Sequence, residues 1–365
     1  MGSVTAGGDA LTSEDMPHGT PFITIVVPTL NEENYIEACL TSLSGQWPQG
    51  AYEILVLDGG STDDTARMVR SVQDRDGAVV LLANPRKVQS AAINLAAELA
   101  SPRTTVLVRA DAHALYPTGF IRQCVDALLT TGATSVVVPM STRAQAGSLL
   151  QPAIAAAQSS RLGNGGAAHR LGATSGFVEH GHHAAFDLAF FRSIGGYDES
   201  FTHNEDAELD IRAIAAGGRI WMCAEASVVY YPRSRLDRLA VQYFRHGRGR
   251  ARTLRKHGLR PRPRQLIPVG ALFSCAASLA IAPFMPVLAA VGLLYPTSCL
   301  AWGWVEAMRH RDLKLSAGGL ALMAMHLPWA TGFLLGLARG IPGKRAPRPP
   351  LLPASGVGFR LSERS

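Results

Sequence analysis

Hydrophobic positions along this chain follow two patterns that meet near residue 264. Before that point apolar residues come in short runs split by charge; beyond it they come in long runs. In the first part, residues 22–27 form a β-branched apolar run closed by Pro28, which reads as a buried strand. Residues 31–44 follow with helical spacing at Ile36, Leu40 and Leu43, and Asn31 stands where a cap belongs. The alternation continues with a strand over 53–57 and a helix over 62–72, whose Asp63 and Asp64 suit the first turn. A strand over 78–82, an alanine-rich helix over 88–100 and a strand over 105–108 come next. Residues 135–139 give a further strand and 144–176 show no clear period. The pattern resumes over 184–194, a helix spans 206–216, and 219–231 hold one or two strands.

Strands alternating with helices predict a mostly parallel sheet covered on both faces. Ligands of such sheets bind beyond the carboxyl ends of the strands. Polar side chains collect there: Glu32 after the first strand, Asp58 after the second, Asp111 and His113 after the fourth. One such acid is as well explained as a turn residue; three in succession point to a site.

The second part reads differently. Residues 266–305 are about forty in number and almost uncharged, while a spanning helix needs roughly 20. Two crossings fit, with a turn near 283–286. Residues 306–312 are a polar break, and 315–337 are a third apolar run interrupted by His326 and Pro328. Buried core helices are the alternative, which runs of this length and lack of charge disfavour. Trp302, Trp304 and Trp329 sit like interfacial aromatics. The expected divisions are a leader over 1–21, an α/β domain over 22–232, a basic segment over 233–264, two or three transmembrane helices over 265–338 and a basic Pro-rich tail over 339–365. The leader has neither the basic start nor the apolar stretch of a secretory signal, and reads as disordered.

Charge sharpens this picture. The formal net charge is +7, and arginines crowd 233–264, as suits an anionic surface. No nucleic-acid-binding motif accompanies them, so the partner expected is membrane lipid and not nucleic acid. The basic segment and the 309–314 loop both favour the cytoplasm by the positive-inside rule. The tail is basic too, so a third full crossing would break that rule unless the last segment is re-entrant. The five cysteines are scattered, without a CxxC pair, which argues against a disulfide framework or a zinc site and fits a reducing compartment.

The run Ile25-Val26-Val27-Pro28-Thr29-Leu30-Asn31-Glu32-Glu33, followed by Glu53-Ile54-Leu55-Val56-Leu57-Asp58-Gly59-Gly60-Ser61-Thr62-Asp63, resembles the opening of family 2 glycosyltransferases. The segment Arg109-Ala110-Asp111-Ala112-His113-Ala114-Leu115-Tyr116-Pro117 is similar to membrane-associated glucosyltransferases of succinoglycan-type exopolysaccharide assembly. The resemblance covers residues 22–232. It implies an α/β GT-A (Rossmann-like) nucleotide-sugar-binding domain, here with a C-terminal helical transmembrane region, and an inverting hexosyltransferase of a multi-pass cell membrane protein whose catalytic domain is cytoplasmic. The donor it implies is a nucleotide sugar, with UDP-glucose first in line. The acceptor is a lipid-linked saccharide, and other polysaccharide-assembly proteins are possible partners.

Its residue roles carry over position by position. Pro28, Glu32 and Asp58 fall on substrate-binding positions, Asp58 on the acid that recognises the nucleobase; the acid often beside it is Gly59 here. The family's D-x-D element falls on Asp111-Ala112-His113, so the resemblance implies that Asp111 contacts ribose or metal and His113 takes the second metal-ligand position. Imidazole in place of an acid tilts preference from Mg2+ towards Mn2+. Asn204-Glu205-Asp206, after the Gly195–Asp198 turn, matches the E-D element, making Asp206 the implied general base with Glu205 beside it. Gln242-Tyr243-Phe244-Arg245-His246 resembles the Q-x-x-R-W element, with Gln242 and Arg245 near acceptor and product diphosphate; His246 replaces the Trp. His180-Gly181-His182-His183 is expected to touch the acceptor or pack, not to bind zinc. Two other activities compete: a processive polysaccharide synthase, which would need more crossings, and a catalytically inactive membrane scaffold, which His113 and Gly59 keep open.

Overall fold

The computed structural model describes residues 19–145, 147–165 and 174–338; nearly all of the expected leader and all of the expected tail lie outside the described residues. Strands β1 (Phe22–Thr29), β2 (Tyr52–Asp58), β3 (Val79–Ala83) and β4 (Thr104–Arg109) alternate with helices α1 (Ile36–Leu43), α2 (Thr65–Gln73), α3 (Gln89–Leu99) and α4 (Phe120–Thr131). There follow β5 (Ser135–Val138), β6 (Met140–Thr142), α5 (Gln151–Ser159), α6 (Arg161–Asn164), β7 (Gly176–Val178), β8 (His182–Asp187), α7 (Leu188–Ser193), α8 (Glu205–Ala215), β9 (Ile220–Met222) and β10 (Val228–Tyr230). The main sheet has the order β3-β2-β1-β4-β8-β5-β9-β7. Strands β1 to β4 pair in parallel, whereas β8 runs antiparallel to β4 and β5, and β7 antiparallel to β9. The sheet is therefore mixed beyond β4, a departure from the mostly parallel expectation. A short parallel pair, β6 with β10, stands apart from it.

The order β2-β1-β4 puts a switch point between β1 and β4, where chain leaves in opposite directions and a crevice opens. One face of the sheet packs on α1, α2 and α4 through Ile36, Leu40, Leu43, Val69, Phe120 and Val125. The other packs on α3, α7 and α8 through Ala92, Ile93, Ala96, Phe191 and Leu209.

Several boundaries differ from the sequence reading. β1 runs through Pro28, which pairs in register with Leu57. Its pairing with β4 ends at Val26, so Pro28 has only one neighbour strand and its missing donor breaks no ladder. Asn31 does not cap α1, which starts at Ile36 behind Tyr35 with no side-chain cap. It adopts a left-handed φ of 55°, and its Oδ1 accepts the Thr62 N–H at 2.8 Å, tying the loop after β1 to the loop after β2. Asp63 and Asp64 precede α2; Asp63 Oδ1 accepts the Thr65 N–H at 3.1 Å.

The C-terminal part is helical: α9 (Leu236–Lys256), α10 (Pro263–Ile281), α11 (Pro286–Ala289), α12 (Leu294–His310) and α13 (Gly318–Ala338). Three segments are long and apolar enough to cross a membrane: Pro263–Ile281, Pro286–His310 and Leu313–Ala338. The expected turn near 283–286 is present between α10 and α11. The polar break is shorter than expected, because α12 continues to His310, where Glu306 pairs with Arg309 and His310. Pro328 does not interrupt α13.

These helices are not equivalent. α10 has no buried residue. α13 instead packs along its length on the arginine-rich α9. A Cβ on Gly247 would stand 2.1 Å from the Trp329 carbonyl oxygen, and one on Gly332 2.1 Å from that of Phe244; only glycine permits so close an approach. Arg255 Nη1 of α9 also donates to the Gly336 carbonyl at 3.1 Å, and one contact ties α13 to the α/β part: His326 Nε2 lies 3.0 Å from the Leu162 carbonyl oxygen.

Candidate active site

The crevice is organised around a residue that the motif reading passed over. Arg109 is the last residue of β4, directly after the apolar run of residues 106–108, and is only 5% exposed. Its Nη1 donates to Asp206 Oδ1 at 2.7 Å and to the Tyr197 hydroxyl at 3.2 Å, and its Nε lies 3.6 Å from Asp111 Oδ1. Tyr197 in turn donates to Asp206 Oδ1 at 2.8 Å. One guanidinium thus joins the carboxylate after β4 to the carboxylate at the start of α8. A buried arginine is tolerated when carboxylates match its charge in this way, although its Nε has no hydrogen-bond partner.

Asp111 is held on several sides. Gln89 Nε2 donates to its Oδ1 at 2.9 Å, and His182 Nε2 lies 3.4 Å from its Oδ2. Burial opposes its charge, but Arg109, then His182 and His113, hold the carboxyl well below its usual range. His113 Nδ1 stands 3.2 Å from Glu32 Oε1, and its side chain is 55% exposed. The hydrogen bond to Glu32 raises its pKa against the desolvation that lowers it. Glu32, Asp111 and His113, from the ends of β1 and β4, therefore meet at one mouth of the crevice.

α8 places the second acidic pair. Its N-cap Asn204 takes a left-handed φ of 69°, and its Nδ2 donates to Thr253 Oγ1 of α9 at 2.8 Å. Gly249 of α9 lies so near that a Cβ there would stand 2.6 Å from the His203 carbonyl oxygen. Glu205 and Asp206 open the helix in opposite electrostatic states. Burial, and next the charge of Asp206, push Glu205 up to about 7. Asp206 stays well below its usual range, because Arg109, His183, His182 and the Tyr197 hydroxyl outweigh its burial.

The His180–His183 stretch lines the same wall. His180 Nδ1 and His183 Nε2 stand 2.5 and 2.7 Å from the two oxygens of buried Asp210. His182 faces Asp111. Among the described residues no group of three or more His, Cys, Asp and Glu side chains forms a ready metal cage. A metal at Asp111 and His113 would have to share its sphere with substrate oxygens and water, as divalent ions at phosphate sites do. One carboxylate and one half-exposed imidazole fit such a divalent ion.

The remaining predicted residues lie around this centre. Asp58 ends β2, and its oxygens accept from the Gly60 and Ser61 N–H groups and from the Ser61 hydroxyl; it shapes its own turn, apart from Asp111. Gln242 donates from Nε2 to the Tyr230 hydroxyl at 3.3 Å. Arg245 is exposed on α9, near enough to His203 for its charge, after burial, to help lower that imidazole's pKa.

Comparison with known proteins identifies this architecture. The family model described as glycosyl transferase family 2 matches residues 24–195. The succinoglycan biosynthesis protein ExoA of Rhizobium meliloti is 44% identical over 310 residues, 85% of this chain and 93% of that protein. This chain belongs to glycosyltransferase family 2. A Methanococcus voltae enzyme, named as a dolichyl N-acetyl-α-D-glucosaminyl phosphate 3-β-D-2,3-diacetamido-2,3-dideoxy-β-D-glucuronosyltransferase, is 24% identical over 87% of the transferase and 98% of its own length. The mannosyltransferase PcManGT of Pyrobaculum calidifontis, solved with GDP-Man and Mn2+, superposes with a TM-score of 0.53 at 20% identity, covering 85% of the transferase and 88% of that chain. That likeness bears out the GT-A fold expected from the sequence.

Arg109, Tyr197 and Gln89 were not singled out as site residues by the sequence, and His182 was expected at the acceptor or in packing, not beside Asp111. Arg109 alone left a signal: a charge directly after the apolar residues 106–108.

Proposed function

We propose that this glycosyltransferase moves a sugar, with inversion, from a nucleoside diphosphate sugar to a lipid-linked saccharide at the cytoplasmic face of a membrane. The observation that carries this reading is the Arg109 bridge between Asp111 and Asp206. It ties the carboxylate that would face the donor diphosphate to the one that would face the acceptor. In this reaction the acceptor oxygen bonds to the anomeric carbon as the bond to the diphosphate oxygen breaks, and the hydroxyl proton passes to Asp206. The diphosphate brings negative charge beside Arg109, which weakens its hold on Asp206 and makes that carboxylate more basic when substrate is present. Asp111 and His113 would hold a divalent metal, which when bound stabilises the leaving diphosphate as a Lewis acid. The Mn2+ reported with the mannosyltransferase of like fold supports that assignment. Asp58 and Pro28 would line the nucleobase side, and Gln242 and Arg245 the acceptor side.

UDP-glucose is the donor to try first, on the strength of the succinoglycan relative. A lipid-linked acceptor is supported by the name of the Methanococcus relative and by the apolar helices that follow α9. Their packing also speaks to topology. α13 lies against α9, which carries Arg245, Arg248, Arg250, Arg252 and Arg255, and charges at a bilayer's centre are very costly. α13 is accordingly a helix seated under the catalytic domain at the membrane surface. α10 and the α11–α12 segment form the spanning hairpin, with every basic segment on one side.

The test is UDP release from UDP-glucose by full-length protein in detergent, with native membrane lipid extract as acceptor and with Mn2+, Mg2+ or EDTA. Release that needs both lipid and metal and is lost in Asp206→Asn supports the reading. No release from any common nucleotide sugar, with the protein folded, would favour an inactive scaffold.

A further inference from the structure

Three arginines lie near the start of the first spanning helix, and among the described residues one carboxylate, Glu179, pairs with one of them. Arg250 projects from α9, and its Nε is buried without a hydrogen-bond partner. Among the described residues it forms no ion pair. Arg262 is the N-cap of α10 and Arg264 lies in its first turn. Arg262 Nη2 reaches Glu179 Oε2 at 2.8 Å, and Arg264 Nη1 donates to the Gly165 carbonyl at 2.9 Å. Burial, then the charges of Arg262 and Arg264, depress the pKa of Arg250. Residues 166–173 add no acid in the sequence. A buried donor without an acceptor is destabilising, and surplus positive charge around it adds to that cost. An anion relieves both.

Position narrows the choice of anion. His180 is bonded to Asp210, one turn on from Asp206 along α8, and the preceding residue Glu179 pairs with Arg262, so this loop joins the acidic helix to the arginines. On their far side α10 begins, exposed and apolar, where the chain enters the membrane. The path from Asp206 past His180 to Arg262 therefore ends where α10 enters the membrane. An acceptor with its sugar hydroxyl at Asp206 and its lipid in the bilayer must lay its phosphate linkage along that path. The donor's diphosphate is accounted for elsewhere, beside Asp111.

We propose that Arg250, with Arg262 and Arg264, binds the phosphate or diphosphate that joins the acceptor's saccharide to its lipid. This rests on the lipid-linked acceptor proposed above. Planar guanidinium forks suit phosphate oxygens, and charge-assisted bonds of this kind are stronger than neutral ones.

Full-length protein in uncharged detergent would be titrated with farnesyl diphosphate as the probe and farnesol as the uncharged control, with UDP and Mn2+ binding followed in parallel. Wild type should bind farnesyl diphosphate and not farnesol. Arg250→Gln and Arg264→Gln should each weaken it about tenfold or more, with UDP affinity unchanged. Arg264 is exposed, so its variant serves even if Arg250→Gln fails to fold. Variants that bind the probe like wild type, or a wild type that binds UDP but no farnesyl diphosphate, would overturn the site. So would phosphatidylglycerol micelles that displace the probe at equal concentration, since the arginines would then be a general headgroup patch. Failure of wild type to bind UDP would count against the transferase reading, while the farnesyl diphosphate titration would decide the arginine site by itself.

Discussion

Arg109 Nη1 and Asp206 Oδ1 are 2.7 Å apart, across 97 residues of sequence, and the arginine is almost wholly buried. Strand β4 delivers the arginine and helix α8 the acid, and this ion pair sets how far apart the two elements stand. Breaking it from either side has different consequences.

Asp206→Asn keeps the shape and most hydrogen bonds but cannot take a proton. Turnover should fall about 10³-fold, the scale of a lost general base, while UDP affinity stays within a few-fold. Parallel UDP-release and UDP-binding measurements check this. An Asn variant with near-normal turnover would remove Asp206 from the reaction.

Arg109→Met leaves two carboxylates without their shared partner. Stability at neutral pH should drop by about 3 kcal/mol, as when one member of a buried pair is removed. Asp111 and Asp206 titrate below their ordinary value of 3.8, so the stability they contribute is present above that value and is lost as pH falls below it. Wild-type and variant denaturation curves should therefore converge in acid; a gap that stays constant down to about pH 2 would contradict the assignment.

Glu205 works with the opposite sign. Its carboxyl is pushed up to about 7 from 4.5, so the folded protein keeps a proton that the unfolded chain has released. That contribution is full below 4.5 and is lost as pH rises through 7. Glu205→Gln should raise stability at about pH 8 by on the order of 2 kcal/mol and leave it unchanged at about pH 4. The wild-type kcat/KM should also show an acid limb near 7, because ionised Glu205 strengthens Asp206 as a base; the variant should lack it.

EDTA should abolish transfer, and Mn2+ should restore it better than Mg2+, because imidazole is a poor partner for magnesium. His113→Asp should narrow or reverse that preference, read as the ratio of rates with the two ions. An unchanged ratio would take His113 out of the coordination sphere.

If α13 lies under the domain and does not cross, single cysteines placed in the N-terminal leader and in the C-terminal tail should be shielded from an impermeant thiol reagent on the same side of sealed vesicles. Labelling of one end only would restore a third crossing.

The sequence carried the architecture of the first four strands well, because each short apolar run ends in a carboxylate or a turn. Asp111, His113, Glu32, Asp206 and Glu205 were legible as motif residues, and the crevice does gather them. Their partners were not legible. Arg109 meets Asp206 only through the packing of α8 on the sheet, which no local spacing encodes. The antiparallel β8 escaped notice because His182 and His183 do not read as strand residues, although Asp111 and Asp210 hold them there. Asn31 looked like a helix cap because caps and left-handed loop positions favour the same residue. Nor could composition reveal that Gly332 and Gly336 of the third apolar run face an arginine-rich helix.

Gly249 carries a practical consequence. With no side chain there, α9 presses against the loop that starts α8, and Thr253 receives the Asn204 amide. Ending the chain before Leu236 to obtain a water-soluble enzyme would strip away the surface that fixes where Glu205 and Asp206 point. Such a fragment should bind nucleotide yet transfer poorly, and adding detergent or lipid would not restore it.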